Sequence, residues 1–206
     1  MKRIQGVRKL TDNPYLNLYQ LRATSRDGDE FPYYVASRRQ DTADLKAVNK
    51  DNRADGVILY GVYGEKWDKV VLIRQYRYPA GDYVYEFPAG LVEPGEDTRE
   101  AGIREMKEET GLAFTPIDGG VCSRPFFTTA GLTDESCAML FGYCAGTPNN
   151  EGQEDTEDIT VILADREECR RILAQEKVAL MCAYMLMHFI SSPGEPFRFL
   201  EKASAQ

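Results

Sequence analysis

A single histidine, His188, stands in 206 residues, and it lies within the apolar stretch 178–190. One imidazole in that setting reads as a packed side chain, so chemistry built on a Ser-His-Asp or Cys-His pair has no candidate. Five cysteines (Cys122, Cys137, Cys144, Cys169 and Cys182) form an odd set with no C-x-x-C spacing. They read as reduced thiols packing as small hydrophobes, and neither a disulfide framework nor a structural zinc site is expected. No apolar run reaches the length of a bilayer crossing, and the start Met1-Lys2-Arg3-Ile4-Gln5-Gly6 has charge with no hydrophobic segment behind it. A cytoplasmic protein without a membrane partner is the expectation. Basic surplus is missing too: 25 Lys and Arg against 33 Asp and Glu leave a net charge of −8, which disfavours nucleic acid as a partner. No G-x-x-x-x-G-K-S/T loop is present, and Asp51-x-x-x-Asp55-Gly56 fails as a calcium loop because Arg53 and Val62 stand where ligands are needed.

What is present is an ordinary globular composition, 43% apolar and 28% charged, with no low-complexity segment. Residues 16–21 alternate apolar with polar, and residues 31–35 follow the turn Arg26-Asp27-Gly28-Asp29, which predicts a hairpin. A small antiparallel β-unit is placed at residues 1–40 and a larger domain at 41–206, with the polar stretch 38–56 as the linker. Strands are predicted at 56–62 and 70–75, a short run at 83–87, and further strands at 120–127, 136–144 and 159–163. A helix is predicted from Asp97 to Thr110, with Asp97 and Glu100 as a capping box and Gly111 as its stop. A last helical region covers 166–190 with a break near Lys177. Strands outnumber helices without strict alternation, so the expected class is α+β, a mixed sheet between helices.

The segment that carries chemistry runs from Gly90 to Leu112. At 100° per residue, Glu105, Glu108 and Glu109 share one helix face, beside a flank made by Ile103, Met106 and Thr110. Like charges so placed cost roughly 0.2–0.5 kcal/mol per pair when nothing neutralises them, so a bound cation would relieve them. Hard oxygen ligands on a fixed scaffold suit Mg²⁺ or Mn²⁺. A solvated helix face is the ordinary explanation of three glutamates, but the flanking residues oppose it. They spell Gly-x5-Glu-x7-Arg-Glu-apolar-x-Glu-Glu-x-Gly-apolar, a pattern expected by chance on the order of once in ten million chains.

That pattern resembles the Nudix box, complete at each fixed position: Gly90, Glu96, Arg104, Glu105, Glu108, Glu109 and Gly111. The resemblance implies a loop-helix-loop at the edge of an α/β/α sandwich, in a metal-dependent hydrolase of diphosphate linkages. It implies Glu105 and Glu109 as principal metal ligands, Glu108 as an additional one, and the Ala89 carbonyl completing the site. Glu96 and Arg104 become an ion pair bracing the loop.

Upstream, Arg74-Gln75-Tyr76-Arg77-Tyr78-Pro79 and Glu86-Phe87-Pro88-Ala89-Gly90-Leu91 resemble the ADP-ribose and nucleoside-diphosphate-sugar pyrophosphatase branch, which implies a homodimer whose N-terminal unit helps to build the pocket. ADP-ribose is the expected substrate, cut to AMP and ribose 5-phosphate. The alternatives are GDP-mannose or a UDP-sugar, or a non-catalytic nucleotide-sugar sensor. Arg77 matches a substrate-binding basic residue, against the plainer reading of a surface salt bridge. Ala130 replaces the proline of a common Ser-Pro-Gly, and Glu135 is placed near the distal ribose. The acidic loop 151–158 precedes a strand and supplies candidates for the general base: Glu157 first, then Glu154, with Glu135 also weighed.

Overall fold

The computed structural model describes residues 3–153 and 156–204. Its strands are β1 (Ile4–Lys9), β2 (Asn17–Thr24), β3 (Glu30–Ser37), β4 (Gly56–Tyr63), β5 (Lys69–Arg77), β6 (Asp82–Glu86), β7 (Ala89–Leu91), β8 (Ala113–Ile117), β9 (Pro125–Phe127), β10 (Ser136–Ala145) and β11 (Ile159–Ala164). Its α-helices are α1 (Lys46–Asn49), α2 (Thr98–Thr110), α3 (Arg166–Gln175), α4 (Leu180–Ser191) and α5 (Arg198–Ser204). The chain divides into two units, Met1–Asp55 with Pro125–Cys137, and Gly56–Arg124 with Ala138–Gln206.

In the first unit β1, β2 and β3 form an antiparallel meander. β2 shows the period of two that one packed face demands: Tyr19 and Leu21 are buried while Leu18 and Arg22 are exposed. Tyr19 lies opposite Val35, and Leu21 opposite Val7, above Leu45. The stretch expected to be a linker folds instead. Leu45 is wholly buried, Lys46 begins α1, and the Lys46 ammonium, itself buried, donates to the Arg53 carbonyl at 2.8 Å and to Asp55 Oδ2 at 2.6 Å. Ser136 and Arg39 complete the cluster. A polar stretch packs here because its charges satisfy each other. This unit also runs past the expected boundary at residue 40 and takes in 125–137.

In the second unit the sheet runs β11-β5-β4-β10-β8, with β6 paired to β5 and β7 to β4. One face packs Val57, Leu59, Val71 and Leu140 against Ala101 and Met106 of α2. The other packs Val70, Leu72, Tyr60 and Phe141 against Cys169, Ile172, Leu186, Phe189 and Leu200 of α3, α4 and α5. Alternation along β5 sends Val70 and Leu72 to one core and Val71 to the other, as a strand between two helical layers requires. This is the α+β sandwich expected, with the helical break between Gln175 and Leu180. Cys144, Cys169 and Cys182 pack in the cores, and the partly buried His188 ring rests on Phe199.

One strand expectation fails locally, and three elements were not expected. Residues 120–127 do not form one strand: Gly120–Ser123 is a 3-10 turn, entered by Gly120 at φ +52°, and only Pro125–Phe127 is extended. The stretch forming β8 does not alternate apolar with polar residue types and carries Pro116, although in the fold Phe114 and Pro116 are buried while Ala113 and Thr115 are exposed. It exists because β10 supplies its hydrogen bonds, with Phe141 to Ala145 facing Ile117 to Ala113. β1 and α5 are further elements that local pattern does not mark.

The β8–β10 pair allows no side chain at Gly142, where a Cβ would stand 2.5 Å from the Thr115 carbonyl oxygen. Gly142→Ala should lose about 1–3 kcal/mol by overpacking. In urea titration this lowers the midpoint at unchanged slope. Gly131→Ala, in open space, should stay within about 0.5 kcal/mol.

Candidate active site

Helix α2 begins and ends where its own side chains dictate. The Asp97 carboxylate accepts the Glu100 N–H at 2.8 Å and the Glu100 carboxylate accepts the Asp97 N–H at 3.0 Å, so two otherwise unpaired donors are satisfied. At the far end Gly111 adopts φ +73° and its N–H closes on the Lys107 carbonyl. The packed face carries Ala101, Gly102, Met106, Glu109 and Thr110. Gly102 lets the helix approach the sheet closely, since a Cβ there would stand 2.4 Å from Leu140 Cδ1.

The three glutamates that one helix face was expected to present are graded in depth. Glu109 is inside at 2% exposure, Glu105 is partly buried, and Glu108 is the most open. Ile103, placed on the apolar flank by its angle, is exposed. Glu109 Oε2 accepts the Ala89 N–H at 3.0 Å. Burial pushes the Glu109 carboxyl well above the usual carboxylate range; the Ala89 N–H offsets part of this, and the charges of Glu105 and Glu157 add to it. Burial also raises Glu105, against the pull of Arg104. The Glu105 carboxylate occupies the space beside Gly90, where a Cβ would lie 1.9 Å from it. That is the physical reason for glycine at the head of the motif.

Arg104 uses all five of its donors. Nε and Nη2 hold Glu96 at 3.0 Å each, Nη2 also reaches the Leu91 carbonyl at 3.0 Å, and Nη1 holds Glu105 Oε1 at 2.8 Å and Glu108 Oε2 at 2.9 Å. The guanidinium holds Glu96 below the usual carboxylate range, and Glu96 in turn is the chief cause of a raised Arg104. One planar cation therefore ties the loop to the helix.

Across the cluster, Arg77 forms a two-point pair with Glu86, Nε to Oε1 at 3.0 Å and Nη2 to Oε2 at 2.6 Å. Glu86 raises the Arg77 pKa most, and Glu109 and Glu157 follow. Arg77, Glu105, Glu109 and Glu157 thus share one electrostatic neighbourhood. With this geometry in view, the comparisons decide the family: the NUDIX domain matches this chain over residues 52–179.

The chain belongs to the Nudix family.

It is similar to a Caenorhabditis elegans protein named as a nudix hydrolase, at 38% identity over 121 residues, covering 55% of this chain and 52% of the relative. It is also similar to the ADP-ribose pyrophosphatase of Saccharomyces cerevisiae, at 30% identity over 150 residues, covering 70% of this chain and 60% of the relative. The chain thus spans about half the length of the curated relatives it matches. A crystal structure of an ADP compounds hydrolase shares the fold at a TM-score of 0.64 and 15% identity, covering 98% of this chain and 96% of that one.

Within the second unit the Nudix box residues Gly90, Glu96, Arg104, Glu105, Glu108, Glu109 and Gly111 come together, with Ala89 bonded to Glu109. Glu135 belongs to the first unit, where Arg38 Nε donates to Oε1 and Thr128 Oγ1 to Oε2, each at 3.1 Å. Glu154 lies outside the described residues. Glu86 was quoted in the sequence pattern without a role; its only signal was a charged residue beside the apolar Phe87, and its partner becomes visible once β6 pairs with β5. Among the described residues no three Asp, Glu, His or Cys side chains converge as metal ligands as they stand, and Arg104 holds both Glu105 and Glu108. In charge and donor chemistry the box still fits a hard cation, since its two deeper carboxylates are raised chiefly by burial, with neighbouring carboxylate charge adding to it, and a cation would offset both.

Lysine cannot reproduce a five-donor fork from a single ammonium. Arg104→Lys should therefore lower the stability of the metal-free protein by about 1–2 kcal/mol. Adding Glu96→Gln should cost less in that background than alone, and a strictly additive double mutant in thermal denaturation would refute the shared network.

Proposed function

We propose that this Nudix protein hydrolyses the diphosphate bond of a nucleoside diphosphate sugar, with ADP-ribose, cut to AMP and ribose 5-phosphate, ahead of GDP-mannose or a UDP-sugar. One observation carries the reading: a buried Glu109 with no ion-pair partner among the described residues and a partly buried Glu105 held by Arg104 stand in the field of Glu157, with a clamped Arg77 acting on Glu109. The name of the yeast relative supports the substrate class.

Glu105 and Glu109 would hold a divalent cation, Mg²⁺ or Mn²⁺, with Glu108 and the Ala89 carbonyl completing the donor set. Bound there, such an ion supplies neutralisation of the diphosphate and a lower pKa for the attacking water. The chain's own residues do the rest. Arg77, held in one orientation by Glu86, keeps Nη1 to donate to a diphosphate oxygen. Glu157 accepts the proton of the attacking water. The water oxygen bonds to phosphorus, the bond from that phosphorus to the bridging oxygen breaks, and the bridging oxygen leaves with the second phosphate. Glu154 is the second candidate for the base, and Glu135, steadied by Arg38 and Thr128, orients the distal ribose.

We further propose a homodimer formed through the N-terminal β-unit, which leaves Leu16, Leu18, Phe31, Tyr33 and Tyr34 exposed. Light scattering at low micromolar concentration should give twice the chain mass, and a fully active monomer would refute this.

The substrate reading is tested by a screen of ADP-ribose, ADP-glucose, GDP-mannose, UDP-glucose, dinucleoside polyphosphates and nucleoside triphosphates with Mg²⁺ or Mn²⁺. ADP-ribose should be cleaved fastest, with AMP released; tight binding without turnover would mark a sensor instead. Glu109→Gln should abolish turnover. Glu157→Gln should lower kcat by at least about a hundredfold at near-constant KM, whereas Glu135→Gln should act on KM. The reverse pattern would exchange the roles of Glu157 and Glu135.

A further inference from the structure

The last carbonyls of an α-helix have no partner within the helix and must find donors elsewhere. In α2 those donors come from a distant segment. Asn149 N–H donates to the Thr110 carbonyl at 2.9 Å, and Gln153 Nε2 donates to the Glu109 carbonyl at 2.9 Å. Between them Gly152 lies against the helix backbone, where a Cβ would stand 2.9 Å from both Cα and O of Glu108. The segment therefore rests on the turn that bears Glu108 and Glu109.

Beyond this contact the chain is held a second time. The Asp158 carbonyl accepts the Tyr76 N–H at 3.1 Å, and its carboxylate accepts the Tyr83 hydroxyl, just before β11 begins at Ile159. Glu157 stands one residue from this second anchor, and its charge acts on both Glu105 and Glu109. Among the described residues the Gln153 side chain makes no other hydrogen bond, and this one ties residue 153, four positions before Glu157, to the backbone of Glu109.

We propose that Gln153 is a positioning residue: by bonding the Glu109 carbonyl it sets where Glu157 stands over the box carboxylates. This rests on the reading of Glu157 as the base. A base must be placed to within a fraction of an ångström of the proton it takes, and a displacement of about 1 Å can cost on the order of a hundredfold in rate. Tyr83, through Asp158, has the same role from the opposite side.

The test is a mutant cycle on the full chain with ADP-ribose and Mg²⁺, joined to amide hydrogen exchange of the metal-free protein. Gln153→Ala should lower kcat about ten- to a hundredfold with KM nearly unchanged. In the Glu157→Gln background the same change should have almost no further effect, because its influence passes through Glu157. Tyr83→Phe should give the same pattern more weakly. Hydrogen exchange should quicken in residues 156–158 and stay as in wild type through α2. Wild-type kcat in Gln153→Ala, a full multiplicative loss in the double mutant, or loosening of α2 itself would each overturn the positioning role alone. Wild-type turnover in Glu157→Gln would overturn the base assignment and this inference with it.

Discussion

Glu109 lies on the face of α2 that packs against the sheet, and a carboxylate in that place must be compensated by whatever surrounds it. Leaving a buried charge unpaired costs several kcal/mol. The Ala89 N–H offsets part of that cost, and Arg77 opposes it from a distance. Neither closes the account, because Arg77 is already paired with Glu86 while Glu105 and Glu157 add charge of the same sign. The strand β7 that presents Ala89 and the β5–β6 pair that presents Arg77 and Glu86 are arranged around this one group. In the proposed reaction, the remaining deficit is what a divalent cation meets.

Arg104 solves the opposite problem. It is a planar cation placed where four acceptors converge, and its fork geometry lets it serve Glu96, Leu91, Glu105 and Glu108 together. The consequence is a loop of fixed shape ahead of the helix, with Gly90 leaving the space that the Glu105 carboxylate takes. Rigidity and the stored negative charge thus have separate sources, and the box needs both.

The first unit shows how far a polar composition can mislead. Lys46, Asp55, Arg39 and Ser136 are each residues that a reading by hydrophobic pattern assigns to solvent, yet they form a cluster around the buried Lys46 and Ser136 that joins the 39–55 stretch to the strand start at Ser136. Hydrophobic periodicity registers apolar faces alone, so a network held by mutual satisfaction of charges leaves no trace in it. The same blindness hid the Arg77–Glu86 pair, whose members are nine residues apart and meet across two strands.

The Nudix box was legible because its determinants are local. The Asp97–Glu100 cap, the Gly111 stop, the spacing of Glu105, Glu108 and Glu109, and the Glu96–Arg104 pair all lie within about six helical turns of chain, where covalent connection and the 3.6-residue period decide who meets whom. The alternation that separates β5 into two core faces is local in the same sense. What tertiary structure alone decided is everything that depends on distant partners: the depth of Glu109, which angle on a helix cannot reveal; the edge strand β8, which exists through β10; and the seat of residues 149–153 on the end of α2. These are settled by burial and by hydrogen bonds between residues tens of positions apart, and no local pattern encodes which distant donor a helix end will find.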